Sequence, residues 1–489
     1  MINDVKPTVA AGFVVHAGCV QRSKRFIRNS GRRSILTKDI IMFDISWGRS
    51  FRNCAGVSRR DALKVGALAA GGLTIADLLR AESLAAEAGR DVKRKSVICF
   101  WLDGGPTNHE TWDPKPEAPS EYRGPFDAIQ TRVPGIELCE LFPQTAQIMD
   151  KLSVIRSVYH NNGDHFAAAH WMWTGYHGSS AARLEAMYPS VGSIISKTRG
   201  ANQPGMPAFV SVPQAMTVGR RPGYQGSAFM GVAYNPFDVG ADPNSSRFRV
   251  QNVNLPNGVT VDRTMDRQSL ISGLDRFRRD TDAGGLMEGM DTFNQRAFDM
   301  ITGERARKAF DITREDPRTR DRYGRTGTGQ GALLARRLVE AGVSFVTVHA
   351  GGWDNHSGIE AAMKRHATSL DPAISSLVSD LDQRGMMDDV IVMVMGEFGR
   401  TPRVNGGAGR DHWGNLMSVL IGGGGLQSGI VVGESDDKGT RPIKRAVRPA
   451  HVLHTIYRQM GVDPGIAHIN HAGRPIPILS DGEPIRELL

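Results

Sequence analysis

The sequence predicts an α/β fold in which helices cover both faces of a sheet. Three observations point there. Short, continuous apolar runs recur along the chain, as strands buried on both faces read. Stretches with helical spacing alternate with them. Hydrophobic residues make up 40% of the 489 residues and charged ones 23%. Both values are near globular averages, which excludes wholesale disorder and a polytopic membrane protein.

Taken in order, Ser96 to Leu102 (SVICFWL) reads as the first strand, ending in Asp103-Gly104-Gly105. Residues 141–149 have helical spacing, and 152–158 return to strand. Residues 167–173 suit a helix with Asp164 as its N-cap and His165 in the first turn. Residues 206–212 form a strand. A loop-rich excursion follows near 213–266, densest in Gly, Pro and Asn over 219–264. Helical spacing runs from 267 to about 310, and residues 331–341 make a helix ended by Gly342. The glycines of 327–331 read as a turn, because the strand that a dinucleotide-binding loop requires does not precede them. Residues 344–349, 390–395 and 417–421 are strands, 422–425 a turn, and 358–383 and 449–460 helices.

Charge is distributed unevenly. Of the net +9, residues 1–88 carry +7 and the remaining chain only +2. The basic balance therefore belongs to the leader, and no nucleic-acid surface is expected on the folded part. Within it, Ser58-Arg59-Arg60-Asp61-Ala62-Leu63-Lys64 precedes a Gly/Ala-rich apolar run, 65–75, that is too short and too weak to span a bilayer. This resembles a twin-arginine export signal, with Ala62 where that consensus prefers Phe; an ordinary basic amphipathic helix is the other reading. Ala86-Glu87-Ala88 offers a cleavage site, and since 57 residues precede Ser58, a start at Met42 would give a more conventional leader. The expected organisation is a leader over 1–88 outside the fold and a single domain over 89–489. The product is expected to be exported through the twin-arginine machinery to the periplasm or beyond, with no stable membrane span. Cys19 and Cys54 lie in the leader, and Cys99 and Cys139 have no metal-type spacing, so a disulfide framework is not supported.

In open α/β sheets ligands sit at the carboxyl ends of the strands. Four such ends carry the same kind of chemistry: Asp103-Gly-Gly-Pro-Thr-Asn-His109, Gly351-Gly-Trp-Asp354-Asn-His356, Gly396-Glu397-Phe-Gly-Arg-Thr-Pro402, and Gly409-Arg-Asp411-His412-Trp-Gly414 before the last strand. Carboxylates and imidazoles without thiolates suit one or two divalent ions, zinc or manganese more naturally than calcium. Asp103, Asp354, His356, Glu397, Asp411 and His412 are the candidate ligands. His165, with Asp164, is the candidate catalytic residue: the positive end of a helix favours an anion and disfavours imidazolium, so His165 is expected to stay neutral. No G-x-S-x-G elbow exists for serine-hydrolase chemistry.

Together with the leader, FWLDGGPTNHETWDPKP, HNNGDHFAAAHWMWTG, GGWDNH, GEFGRTP and GRDHWG resemble the exported bacterial family called domain of unknown function 1501, within the alkaline-phosphatase and sulfatase superfamily, over about residues 97–460. The resemblance implies a mixed, mostly parallel sheet between helices and two metal sites around a phosphate or sulfate ester. It matches Asp103 to the first-strand metal aspartate, Glu397 to a second-site ligand, Asp354 and His356 to the Asp and His of the other site, and His412 to the late histidine. Asp411 is then a ligand or the group that orients His412. Phe398 replaces a usual His or Asn. Counting nine residues back from Thr174-Gly175, where sulfatases place Cys or Ser, gives His165, with no C-x-P-x-R. What the resemblance implies is therefore hydrolysis of a small anionic ester, or of a sulfated or phosphorylated glycan, by metal-activated water, with His165 as base or ligand. The alternative is a non-catalytic exported binding protein that keeps the fold.

Overall fold

The structure, a computed structural model, describes residues 95–250, apart from Ser179, Ala181, Arg221 and Pro222, and residues 303–489. The leader and most of the 267–310 helical stretch lie outside these residues. Among the described residues no helix is long and apolar enough to cross a membrane.

Eight strands build the central sheet: β1 Ser96–Leu102, β2 Leu152–Val158, β3 Phe209–Val212, β4 Phe237–Asp238, β5 Phe345–Ala350, β6 Val390–Met395, β7 Met417–Gly423 and β8 Val431–Val432. Their order is β8-β2-β7-β6-β1-β5-β3-β4. Every neighbouring pair is parallel except those of β7, which runs against both β6 and β2. The sheet is thus mixed and mostly parallel, as expected.

The alternation of side chains along β1 decides which layer each residue serves. Ile98, Phe100 and Leu102 face a core shared with Leu334 and Leu338 of α3 (Gly327–Ala341) and Leu370, Ile374 and Leu377 of α4 (Ile359–Gln383). Val97, Cys99 and Trp101 face the opposite core, shared with Met172 and Trp173 of α1 (His165–Thr174), Ile194 and Ile195 of α2 (Val191–Thr198), and Leu453 and Ile456 of α5 (Pro449–Gln459). Both faces are covered, which explains why the strands carry no polar alternation.

Three local expectations differ from what is found. Glycines 327–331 belong to the first turns of α3 rather than to a turn. Thr326 caps that helix by accepting from Gly329 N–H at 3.1 Å. A Cβ at Gly329 would lie 2.1 Å from the Tyr323 carbonyl oxygen, so this glycine permits close packing rather than chain reversal. Residues 141–149 hold only a short helix, Pro143–Ala146, whose first N–H groups donate to the Asp371 carboxylate, followed by a 3-10 turn at Met149–Lys151. The strand expected over 206–212 is confined to Phe209–Val212. The described part of the loop-rich excursion contains 3-10 turns and β4.

Candidate functional site

Parallel strands deliver their carboxyl ends to one edge. Asp103 follows β1, His349 and Asp354 come from the end of β5 and just beyond it, Glu397 follows β6, and His165 follows β2 at the start of α1. Because β7 is antiparallel, its amino end reaches the same edge and brings the preceding His412.

Asp103 and Glu397 form the buried floor. The Glu397 Oε1 accepts from Gly104 N–H at 2.9 Å and from His165 Nδ1 at 2.7 Å. Asp103 Oδ2 accepts from Val218 N–H at 2.7 Å and lies 3.1 Å from His349 Nε2. The other oxygens, Asp103 Oδ1 and Glu397 Oε2, are buried without a hydrogen-bond partner. Burial pushes the Glu397 carboxyl up and the Asp103 charge adds to that, against the pull of His165.

Asp354 is the hub of the upper half. Its Oδ1 accepts from Arg400 Nη2 at 2.7 Å and lies 3.1 Å from His412 Nε2 and 3.0 Å from His356 Nε2. Its Oδ2 is 3.4 Å from His165 Nε2. Although burial opposes it, the hydrogen bonds of His165, His412 and Arg400 hold the Asp354 carboxyl well below the usual range. His356 is exposed; its Nδ1 lies 2.7 Å from Asp411 Oδ1 and its Nε2 2.9 Å from His412 Nε2. The His412 Nδ1 meets the Gly163 carbonyl at 2.8 Å. Asp411, exposed at the rim, is lowered by its bond to His356. Ligand atoms of His165, Asp354 and His412 lie within 4.8 Å of one another, the spread that a single ion can span.

Glu397, His165, Asp354, His356, His412 and Asp411 therefore sit along one line of contacts from buried floor to exposed rim, while Asp103 is joined to His349 and acts on Glu397 through its charge. Asp164 is placed differently from a reacting group: its Oδ1 caps α1 by accepting from Phe166 and Ala167 N–H at 3.0 and 2.8 Å, and so aims His165. The expectation of a neutral His165 is corrected. Burial lowers its pKa, but the Asp354 and Glu397 carboxylates outweigh both burial and the helix end, raising it to about 9. His160 and His170 serve the scaffold, meeting the carbonyls of Glu397 at 2.6 Å and Tyr176 at 2.8 Å. Burial lowers each to about 4.

Two residues escaped the sequence reading. His349 reaches Asp103 from the neighbouring strand, and its signal was a histidine at the end of an otherwise apolar strand. Arg400, buried, donates to the carbonyls of Gly104, Gly105 and Trp353 and to Asp354, joining three loops of the site. Its signal was a lone cation inside GEFGRTP. Gly104 sits at φ 112°, where a Cβ would lie 2.4 Å from Asp354 N; no other residue lets the β1 and β5 loops approach so closely. Phe398 is wholly buried, its ring 4.9 Å from His165 and 4.6 Å from His412, and forms an apolar wall under both imidazoles.

No curated protein matches the chain in sequence. Among solved structures, a sulfatase from Pseudoalteromonas sp., PsFucS1, is similar at 13% identity and a TM-score of 0.34, covering 78% of this chain and 70% of that one. A protein in the alkaline phosphatase superfamily from Vibrio parahaemolyticus is similar at 12% identity and 0.36, covering 76% and 67%. A 2-O GAG sulfatase is similar at 9% and 0.38, covering 80% and 73%. The family described as "Protein of unknown function (DUF1501)" matches residues 94–489, over most of the chain, and the protein belongs to that family.

Proposed function

We propose that the protein is an exported, metal-dependent hydrolase of phosphate or sulfate esters with an alkaline-phosphatase-like site. The observation that carries this reading is the pair of buried, unpartnered carboxylate oxygens, Asp103 Oδ1 and Glu397 Oε2, together with the convergence of His165, Asp354 and His412, whose ligand atoms lie within 4.8 Å of one another. Stranded acceptors of this kind are costly unless a cation takes them up. Carboxylates and imidazoles without thiolate fit zinc or manganese. Asp103 and Glu397 would hold an ion on the floor, and Asp354, His356 and His412 one at the rim, with Asp411 orienting His356.

An ion bound there supplies Lewis-acid stabilisation of the ester oxygens and an acidified water. The chain's own part begins with His165. Its Nδ1 is held by Glu397, and with the imidazole pKa raised to about 9 its Nε2–H is the group that gives a proton to the leaving oxygen. Asp164 fixes the helix start that aims this imidazole. Arg400 holds Asp354, and Phe398 excludes water from beneath both rings. With no Cys or Ser at the His165 position, attack by water replaces a covalent side-chain step. A non-catalytic binding role is favoured by one feature, the apolar Phe398 at a position where the superfamily pattern has a ligand.

A panel of chromogenic phosphate monoesters, phosphodiesters and sulfate esters, assayed with and without added zinc or manganese, tests the reading. Metal-dependent turnover on at least one class is expected. A fully metallated protein that is inert on all of them leaves only the binding role.

A further inference from the structure

The loop after β3 closes over Asp103. Thr217 and Arg220 pair backbone to backbone, Thr217 N–H to Arg220 oxygen at 2.8 Å and Arg220 N–H to Thr217 oxygen at 3.0 Å. Val218 and Gly219 form the turn between them, both at positive φ, 47° and 71°. Glycine adopts that geometry freely, whereas for β-branched Val218 it is an outlier. Such strain persists where contacts over-determine it, and it gathers at functional sites. Here the contact is the Val218 N–H bond to Asp103 Oδ2 at 2.7 Å. That bond holds one carboxylate oxygen and leaves Oδ1 to the centre.

The same turn sets the position of Arg220. Its side chain is exposed, and its guanidinium carbon lies 6.0 Å from the ring centroid of Phe166, the residue next to His165 in α1. Arg400 and Arg410 are spent on Asp354 and Glu110. Among the described residues Arg220 has no carboxylate partner. A guanidinium offers a planar fork matched to tetrahedral oxyanions, and packing over an aromatic ring restricts its orientation without using its donors.

We propose that Arg220 binds the sulfate or phosphate group of the ester, presented by the strained turn that grips Asp103. The proposal rests on the hydrolase reading of the site. Its test is calorimetric titration of inorganic phosphate, and separately of inorganic sulfate, into zinc- or manganese-loaded wild type, Arg220→Ala and Arg220→Lys. Arg220→Ala is expected to weaken anion binding about 10- to 100-fold, the size of a charge-assisted pair, with metal affinity unchanged and partial recovery in Arg220→Lys. The anion that loses more identifies the ester class. Equal anion affinity in the three proteins, or a metallated wild type that binds neither anion, overturns the assignment and leaves the metal site standing. A wild type that takes up neither metal nor anion overturns it together with the hydrolase reading.

Discussion

Asp354 shows how much a single side chain carries in this site. Four partners converge on its two oxygens, and its carboxyl is held ionised by them. Asp354→Ala or His412→Ala is therefore expected to abolish uptake of the rim ion and hydrolysis with it, since losing a ligand removes the source of the activated water. His165→Ala is expected to keep most of the metal while turnover falls by about 10²- to 10⁴-fold, the usual range for a general acid or base. Metal content and kcat measured on the same preparations check both. Full activity in His165→Ala would remove His165 from the chemistry. At this scale the sequence was informative where a ligand type coincided with a strand end, as at Asp103, Glu397 and His412. It was silent on His349 and Arg400, whose importance arises from neighbours 246 and 46 positions away in the chain. Nor could it show that two carboxylates would override the helix end at His165.

Among the elements, the short antiparallel ribbon of Gly399–Arg400 with His412–Trp413 sets the position of the rim ligands. Its outer loop is anchored by Arg410, which is fully buried and pairs with equally buried Glu110 at 2.6 Å while donating to the carbonyls of Thr401, Pro402 and Tyr122. Removing one partner of such a pair strands a buried charge. Glu110→Ala is expected to destabilise the fold by about 3–5 kcal/mol and to loosen Asp411 and His412, which adjoin Arg410. Urea unfolding together with metal titration would show both effects, and unchanged stability would mean that the ion pair is not what holds the loop. The strands were legible because burial on both faces leaves an uninterrupted apolar run. The start of α3 was not: glycine-rich segments read as turns, and only the packing of Gly329 against the Tyr323 carbonyl shows why a helix carries them.

For the whole molecule, the buried histidines give a pH dependence whose sign follows from their environment. Burial lowers His160 and His170 to about 4 in the fold, against about 6.5 when unfolded. Between those values the unfolded chain binds more protons than the folded one, so stability is full above pH 6.5 and falls as pH drops towards 4. Each contributes up to about 3 kcal/mol over that window. Melting temperatures across pH 4–7 should decline on the acid side, and less steeply in His170→Gln; identical profiles would show that His170 is not a source of the decline. The global architecture was readable from alternation alone, because helices on both faces follow from strands without polar alternation. The reversal of β7, which turns His412 towards the site, has no local signature and emerges only from sheet pairing.

The central claim is that the cluster at the carboxyl edge holds a divalent ion. Elemental analysis of the purified protein, before and after chelation and after zinc or manganese add-back, measures this directly. The account predicts one or two ions per chain, removable and restorable, with the rim ion lost in Asp354→Ala. A wild-type protein that stays metal-free after incubation with both ions would contradict it.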